Sequence, residues 1–506
     1  MSSTFVRVVL LAAFLSVLGC GGGTGGAGDS SRSGPEPNPA IVQPNSWPLY
    51  GNTESYLVPY ARPSPGFGTS GLTLHLNIQV AIAGNTTPIL EPQLDTGSRG
   101  LWISRNQLPA DTNVSNVRGV IFYWSSGNQL VGAWTNAQVT FLDAVPSGGA
   151  PSTATATALV LVVEYSSCRE GTWPNKTCTK ADAQHRTYMN KPGEPTGAFM
   201  GIGFDRTGFG DTPENNRYNQ NFNTFLNLDE MRFGHMRAGY MLTPEGVELG
   251  LTSTNTTAHG PGAFAYAQLA PTGWKQADRS PPDWQVPMGY VSFGGNQYPL
   301  GEGVIDTGIT NMLLTLPGFP TTGSPPPPPN GTPLTVSLLG LPGLVGYTFD
   351  VGDPSNPLAP LKITWSELQP GKYTEADTQA FLNTGIDPLN AFNLLYDATG
   401  GYLGLQLNNL SSASKGSLTP AVSAIGTMSF GGADFAGYST NLPVYLRDNA
   451  VIDTGGNSIT FNGNIAGTGD LTISGGGTVT FNCGAYKGGT TITRSGATLV
   501  IHNNVC

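Results

Sequence analysis

The chain runs to 506 residues, too many for one small core and enough for two or three packed units. Its 69 glycines are about twice the usual share and its 11% charged residues about half, which with abundant Thr, Val, Asn and Ser points to an all-β protein with many turns. The net charge of −10 and the lack of any basic run exclude a nucleic-acid-binding surface.

The first element is a targeting segment rather than part of the fold. Arg7 supplies a minimal positive region, and Val8 to Leu18 form an apolar run too short to span a bilayer. The run ends in Val17-Leu18-Gly19-Cys20, which resembles a bacterial lipoprotein box. The resemblance implies a lipid on Cys20 and hence a membrane anchor; an ordinary signal peptide with an incidental cysteine is the alternative. Residues 21–47, rich in Gly, Ser and Pro, read as a flexible tether. Gly21 after Cys20, where Asp would retain the protein at the inner membrane, implies the outer membrane, facing either periplasm or exterior.

Leu72, Leu74, Leu76, Ile78, Val80 and Ile82 alternate with other residues and predict one face of a half-buried strand. Asn85-Thr86-Thr87-Pro88 predicts the turn that follows. The next apolar run ends in Leu94-Asp95-Thr96-Gly97-Ser98 and resumes at Leu101-Trp102-Ile103. The same pattern returns at Val304-Ile305-Asp306-Thr307-Gly308, resuming at Met312-Leu313-Leu314. Short strands and turns continue past residue 400, and one short helix is expected, Ala376 to Leu382. Five prolines, 325–329, predict a stiff polyproline surface insertion. From residue 463 to 501 the chain turns to glycines separated by bursts such as Leu471-Thr472-Ile473 and Thr478-Val479-Thr480-Phe481. Such bursts suit stacked coils of a parallel β-helix, starting between about residues 412 and 445.

The repeated Asp-Thr-Gly is where chemistry is expected. Two carboxyls at about 3 Å cannot both ionise, so a facing pair holds one shared proton. The ionised member can take a proton from water while the protonated member donates to a peptide carbonyl. Gly97 and Gly308 let backbone approach the carboxylates, and the Thr96 and Thr307 hydroxyls can bond across the junction. Asp95 and Asp306 are therefore the candidate catalysts. A third copy, Val451-Ile452-Asp453-Thr454-Gly455, is followed by only about fifty residues, so Asp453 is read as an ordinary turn.

The framework around the two loops gives a family resemblance. Tyr123-Trp124-Ser125-Ser126-Gly127 precedes the strand Ala137-Gln138-Val139-Thr140-Phe141, and Phe199-Met200-Gly201 follows later. Downstream come Trp284-Gln285-Val286, Tyr290 to Gly295, Asn383-Thr384-Gly385, and finally Leu395-Tyr396-Asp397 with Tyr402-Leu403-Gly404-Leu405. In order and spacing, residues 70–408 resemble the pepsin-like aspartic proteases. The resemblance implies an all-β, bilobed fold with the cleft between lobes and aspartic endopeptidase activity on peptide or protein substrates. It makes Tyr123 the flap residue and Trp102 the packing residue beneath the flap. It makes Gly201 and Gly385 the glycines that complete the active-site loops, and Ser98 a hydroxyl support for Asp95. Ile309 departs from the family, where Ser or Thr usually bonds the outer oxygen of the second aspartate. Run by run, Gly469-Asp470-Leu471-Thr472 through Gly496-Ala497-Thr498-Leu499 resembles the passenger-associated repeat of autotransporters.

Apart from Cys20, four cysteines remain. Cys168 and Cys178 lie close in a polar loop and are expected to pair, and Cys483 with Cys506 would close the C-terminal segment. No zinc spacing occurs, and neither metal nor cofactor is expected. The expected organisation is a signal peptide (1–20), a tether (21–47), a bilobed domain (48–410, lobes 48–235 and 236–410), and a linker with the repeat (411–506). A monomer is expected. The alternative to a protease is a catalytically silent pepsin-fold surface or adhesion lipoprotein.

Overall fold

The computed structural model describes residues 52–62, 67, 73–123, 128–168, 186–187, 197–204, 222–258, 264–271, 283–285, 289–319, 327–338, 345–365, 380–410, 416–418, 422–424, 427–430, 436–440, 444–446, 450–467, 469–484, 490–492 and 496–504. Cys20 with its targeting segment, the tether, Trp124, Cys178 and Cys506 lie outside them. The chain is mostly strand (54%) with very little helix, as the composition predicts.

Local pattern explains Ile78–Ile82, the part of the expected 72–82 strand that is regular; Leu74 and Leu76 are buried before it, and Leu72 lies outside the described residues. In Ile78–Ile82 the β-branched Ile78, Val80 and Ile82 are buried, while Gln79 and Ala81 are half-buried. The reversal comes earlier than the sequence predicts, at Ala83 and Gly84, and Asn85–Thr86 is the return strand rather than the turn. Both turn residues have positive φ, 48° and 83°, the geometry of a two-residue hairpin loop, and glycine adopts it freely. Two long strands, Asn128–Pro146 and Ser152–Cys168, then form the largest hairpin of the N-terminal part.

Two strand triplets position the aspartates. Gln93–Asp95 leads into the first Asp-Thr-Gly and Arg99–Ser104 leaves it. Ala198–Ile202 pairs parallel with the former and antiparallel with the latter, with Gly201 opposite Asp95. A Cβ on Gly201 would strike the Arg99 backbone, so only glycine fits. The plan repeats in the second half. Asn296–Val304 leads in, Met312–Thr315 leads out, and Ala380–Asn383 pairs parallel with the first and antiparallel with the second. Residues 380–382 are thus strand, not the end of the expected helix. All four residues of Ala380–Asn383 are buried, and strand pairing on both sides overrides the helix preference of Ala and Leu.

A sheet shared by both halves ties the triplets together. Tyr56–Pro59 pairs with Gly246–Leu249, and that strand with Gly239–Leu242. Gly239–Leu242 pairs with Phe392–Asp397, which forms a hairpin with Tyr402–Leu407. Tyr240 donates its hydroxyl to Ile202 O at 2.7 Å, and Phe204 stacks on Tyr396 at 4.2 Å, joining this sheet to the first triplet. Arg237 braces the hairpin end with a buried, bidentate bond to Asp397 (3.1 and 2.8 Å).

Beyond residue 410 the chain remains attached by strands. Gly416–Leu418 pairs with Val345–Asp350, and Val422–Ala424 runs parallel to Ala265–Gln268. Parallel, in-register ranks follow. Thr427–Ser429, Ala450–Asp453, Leu471–Ser474 and Thr490–Ile492 form one rank. Ser458–Gly467, Thr478–Gly484 and Thr498–Asn504 form another, with Ser458 opposite Thr478 and Thr478 opposite Thr498. Inside the ranks Phe461 meets Phe430 edge-on and Phe481 at a tilt, and Asn482 donates to Asn462, which donates to Ser439. One hydrophobic core runs without a break from Val58 to Phe481. Among the described residues no helix is long and apolar enough to cross a membrane. The prolines 327–329 lie outside any strand or helix, with Pro328 buried and its two neighbours exposed.

Candidate active site

Each Asp-Thr-Gly folds on itself in the same way. The Gly97 N–H donates to Asp95 Oδ1 at 2.6 Å, and the Gly308 N–H to Asp306 Oδ1 at 2.9 Å. The short Asp side chain reaches the amide two residues on, which turns the backbone sharply at the strand end. The glycines also face the opposite aspartate: a Cβ on Gly97 would overlap the Asp306 carboxylate, and one on Gly308 the Asp95 carboxylate. The sequence-predicted pair therefore meets, carboxyl to carboxyl.

The threonines lock the loops together. Thr96 N–H donates to Thr307 Oγ1 and Thr307 N–H to Thr96 Oγ1, both at 3.0 Å. Each hydroxyl then donates across the junction, Thr96 to Ile305 O at 2.5 Å and Thr307 to Leu94 O at 3.0 Å. Gln93 adds a bond from its amide to Gly308 O at 2.7 Å. Both N–H groups and both hydroxyls of the threonine pair are satisfied away from water, so the junction tolerates burial.

That burial sets the electrostatics. Asp95 and Asp306 are only 6% and 8% exposed. Burial, then the neighbouring Asp306 charge and the hydrogen bond between the carboxyls, raise the Asp95 pKa well above the ordinary carboxylate range. Ser98 and the Gly97 N–H act in the opposite direction and are outweighed. The buried Ser98 hydroxyl lies close enough to favour the charged forms of Asp95 and Tyr123, although it completes no full hydrogen bond. A buried carboxyl that keeps its proton to unusually high pH is suited to act as a general acid.

Tyr123 ends the strand Arg118–Tyr123 and pairs with Asn128 across a hairpin. Trp102 Nε1–H donates to its hydroxyl at 3.1 Å, and Phe199 meets its ring edge-on at 5.6 Å. Burial, followed by the Asp95 charge, pushes the phenol pKa far up, so it remains neutral. The hairpin root rests on a separate cluster of Ile121, Leu130, Trp134, Leu161, Val163 and Phe222. Trp102 and Tyr123 thus meet each other, and the Tyr123 phenol lies within reach of the Asp95 charge.

Three contacts were not legible as site features. Asn383 donates its side-chain amide to Asp306 Oδ2 at 2.6 Å. Arg99, fully buried one residue past Ser98, pairs with buried Asp283 at 2.7 Å and donates to Gly203 O at 3.2 Å. Gln93 spans to the opposite loop. Two signals existed: a polar Asn just before the expected completing glycine, and an Arg inside an apolar strand.

The third Asp-Thr-Gly makes the same turn, with Gly455 N–H on Asp453 Oδ1 at 3.2 Å. Its threonine binds beside the next strand of its rank instead of a facing loop, bonding Ser474 O and Gly477 N–H. Cys483 is disulfide-bonded, and its strand neighbour Asn504 lies two residues before Cys506. Among the described residues no group of His, Cys, Asp and Glu could hold a metal ion. No known family model matches the chain, and no curated protein matches its sequence.

Proposed function

We propose that the chain is an aspartic endopeptidase of pepsin-like, bilobed architecture, with a short parallel β-helical segment at its C-terminal end. A lipid on Cys20 would hold it in a bacterial envelope, at the outer membrane. One observation carries this reading: two buried aspartates, on loops built to the same plan, face each other and are cross-bonded by their own threonines. In the reaction one carboxylate takes a proton from water as the water oxygen attacks the peptide carbonyl carbon. The other carboxyl gives its proton to the carbonyl oxygen. When the C–N bond breaks, the amine takes the first proton, and a hydroxyl of the intermediate returns the second. Tyr123 closes over the pair from its hairpin, and Trp102 holds its hydroxyl.

The test is cleavage of denatured protein by the full chain in detergent between about pH 3 and 7, the range in which such a dyad titrates. Asp95→Asn and Asp306→Asn should each lower the rate by at least about 10²–10⁴-fold. Membrane fractions of the same cells should hold the wild type and release a Cys20→Ala variant. A folded wild type that cleaves nothing would make the chain a catalytically silent surface module.

A further inference from the structure

The two loops are not equivalent around their aspartates. Ser98 follows the first Asp-Thr-Gly, and its hydroxyl faces Asp95. Ile309 follows the second and has no polar side-chain atom. Asp306 Oδ2 receives its hydrogen bond from a different strand. Asn383 ends Ala380–Asn383, pairs with Val304 on one side and Leu313 on the other, and is buried. Its Oδ1 accepts the Gly385 N–H at 3.0 Å, which fixes the amide so that Nδ2 points at Asp306 Oδ2. The same place in the first triplet, opposite Gln93 and Trp102, is Phe199, which packs on Tyr123 instead.

Asp306 therefore accepts at both oxygens, from Gly308 N–H on Oδ1 and from Asn383 on Oδ2. A proton on Oδ2 directed at the amide would set two donors against each other at 2.6 Å. We propose that Asn383 is the positioning residue of Asp306: its amide gives Oδ2 the hydrogen bond that residue 309 cannot, fixes Asp306 as the proton acceptor, and leaves Asp95 as the carboxyl that donates. This rests on the aspartic endopeptidase reading. The titratable groups around the pair are Asp95 itself, Tyr123 on the hairpin, and Asp387 with Tyr347 behind Thr384.

The experiment measures kcat and KM of the full chain in detergent on fluorescein-labelled denatured casein across pH 3 to 7. Asn383→Leu keeps the branched shape but is bulkier, and it removes both the donor to Asp306 and the acceptor of Gly385 N–H, so kcat should fall about 10- to 100-fold with KM changed by less than about twofold. Adding Ile309→Thr to that variant supplies a hydroxyl next to Asp306 and should restore most of the lost kcat. Asn383→Asp retains size and packing and needs no refitting of the core. It should be active only at the acid end, where the new carboxyl is protonated and can still donate. Wild-type kcat and pH profile in both Asn383 variants, with Asp95→Asn and Asp306→Asn inactive, would overturn the role of Asn383 and leave the protease reading standing. A wild type inactive at every pH would overturn both.

Discussion

Asp387 opens the turn Asp387–Asn390, two residues past Gly385, and is buried with its Oδ2 unpartnered. Burial pushes its pKa from 3.8 up to about 8. The folded protein thus holds a proton that the unfolded chain releases near pH 4. The stability this gives is complete below that pH and is lost as pH rises through about 8. Asp95, raised by burial and by Asp306, contributes in the same direction. Asp387→Asn should therefore raise Tm at pH 8 and leave it nearly unchanged at pH 4, as melting curves at the two pH values would show. An equal shift at both would mean that Asp387 keeps its charge when folded. At this scale the sequence names Asp95 and Asp306 through their chemistry and repeated loop, and Tyr123 and Trp102 through the family resemblance of the segments around them. It does not name Asn383, whose value depends on which oxygen it meets.

The element that makes the site is a pair of loops, and its cohesion lies in the threonines. Thr307→Val preserves shape but removes the acceptor for Thr96 N–H and the donor to Leu94 O. Each buried group left unpaired costs about 1–3 kcal/mol, so chemical denaturation should show a loss of a few kcal/mol with an unchanged m-value. A loss under about 0.5 kcal/mol would mean that water enters the junction and replaces the bonds. The hydrogen-bond turn within each loop is legible in Asp-Thr-Gly alone, since all three copies form it. The helix expected at Ala376–Leu382 fails over 380–382 because the strand there is inserted between two others, a non-local pairing that no window of sequence displays.

Across the molecule, core and sheet pass directly from the strands before residue 410 into the stacked ranks. Ala265–Gln268 pairs with Tyr402–Leu407 on one side and with Val422–Ala424 on the other. Ending the chain at residue 410 would open that edge and the apolar surface behind it. The full chain should unfold in one calorimetric transition, whereas the shortened chain should melt lower and aggregate. Two separate transitions in the full chain would instead show that the ranks fold as an independent unit. The buried Arg99–Asp283 pair works on this scale too, since it connects the first loop to a residue 184 positions away.

By itself the sequence determined what local chemistry controls: strand content through β-branched alternation, the turns of Asp-Thr-Gly, and the change to Gly- and Thr-rich bursts late in the chain. It also paired the two aspartates, because the same loop is written twice within a matching framework. Tertiary structure decided which Asp-Thr-Gly copies face each other and which one bonds only its neighbouring strands. It placed Asn383 on Asp306, buried an Arg–Asp pair beside the site, and converted a helix-like segment into the strand between two others. Those outcomes depend on what approaches from far along the chain, and desolvation gives such contacts their weight.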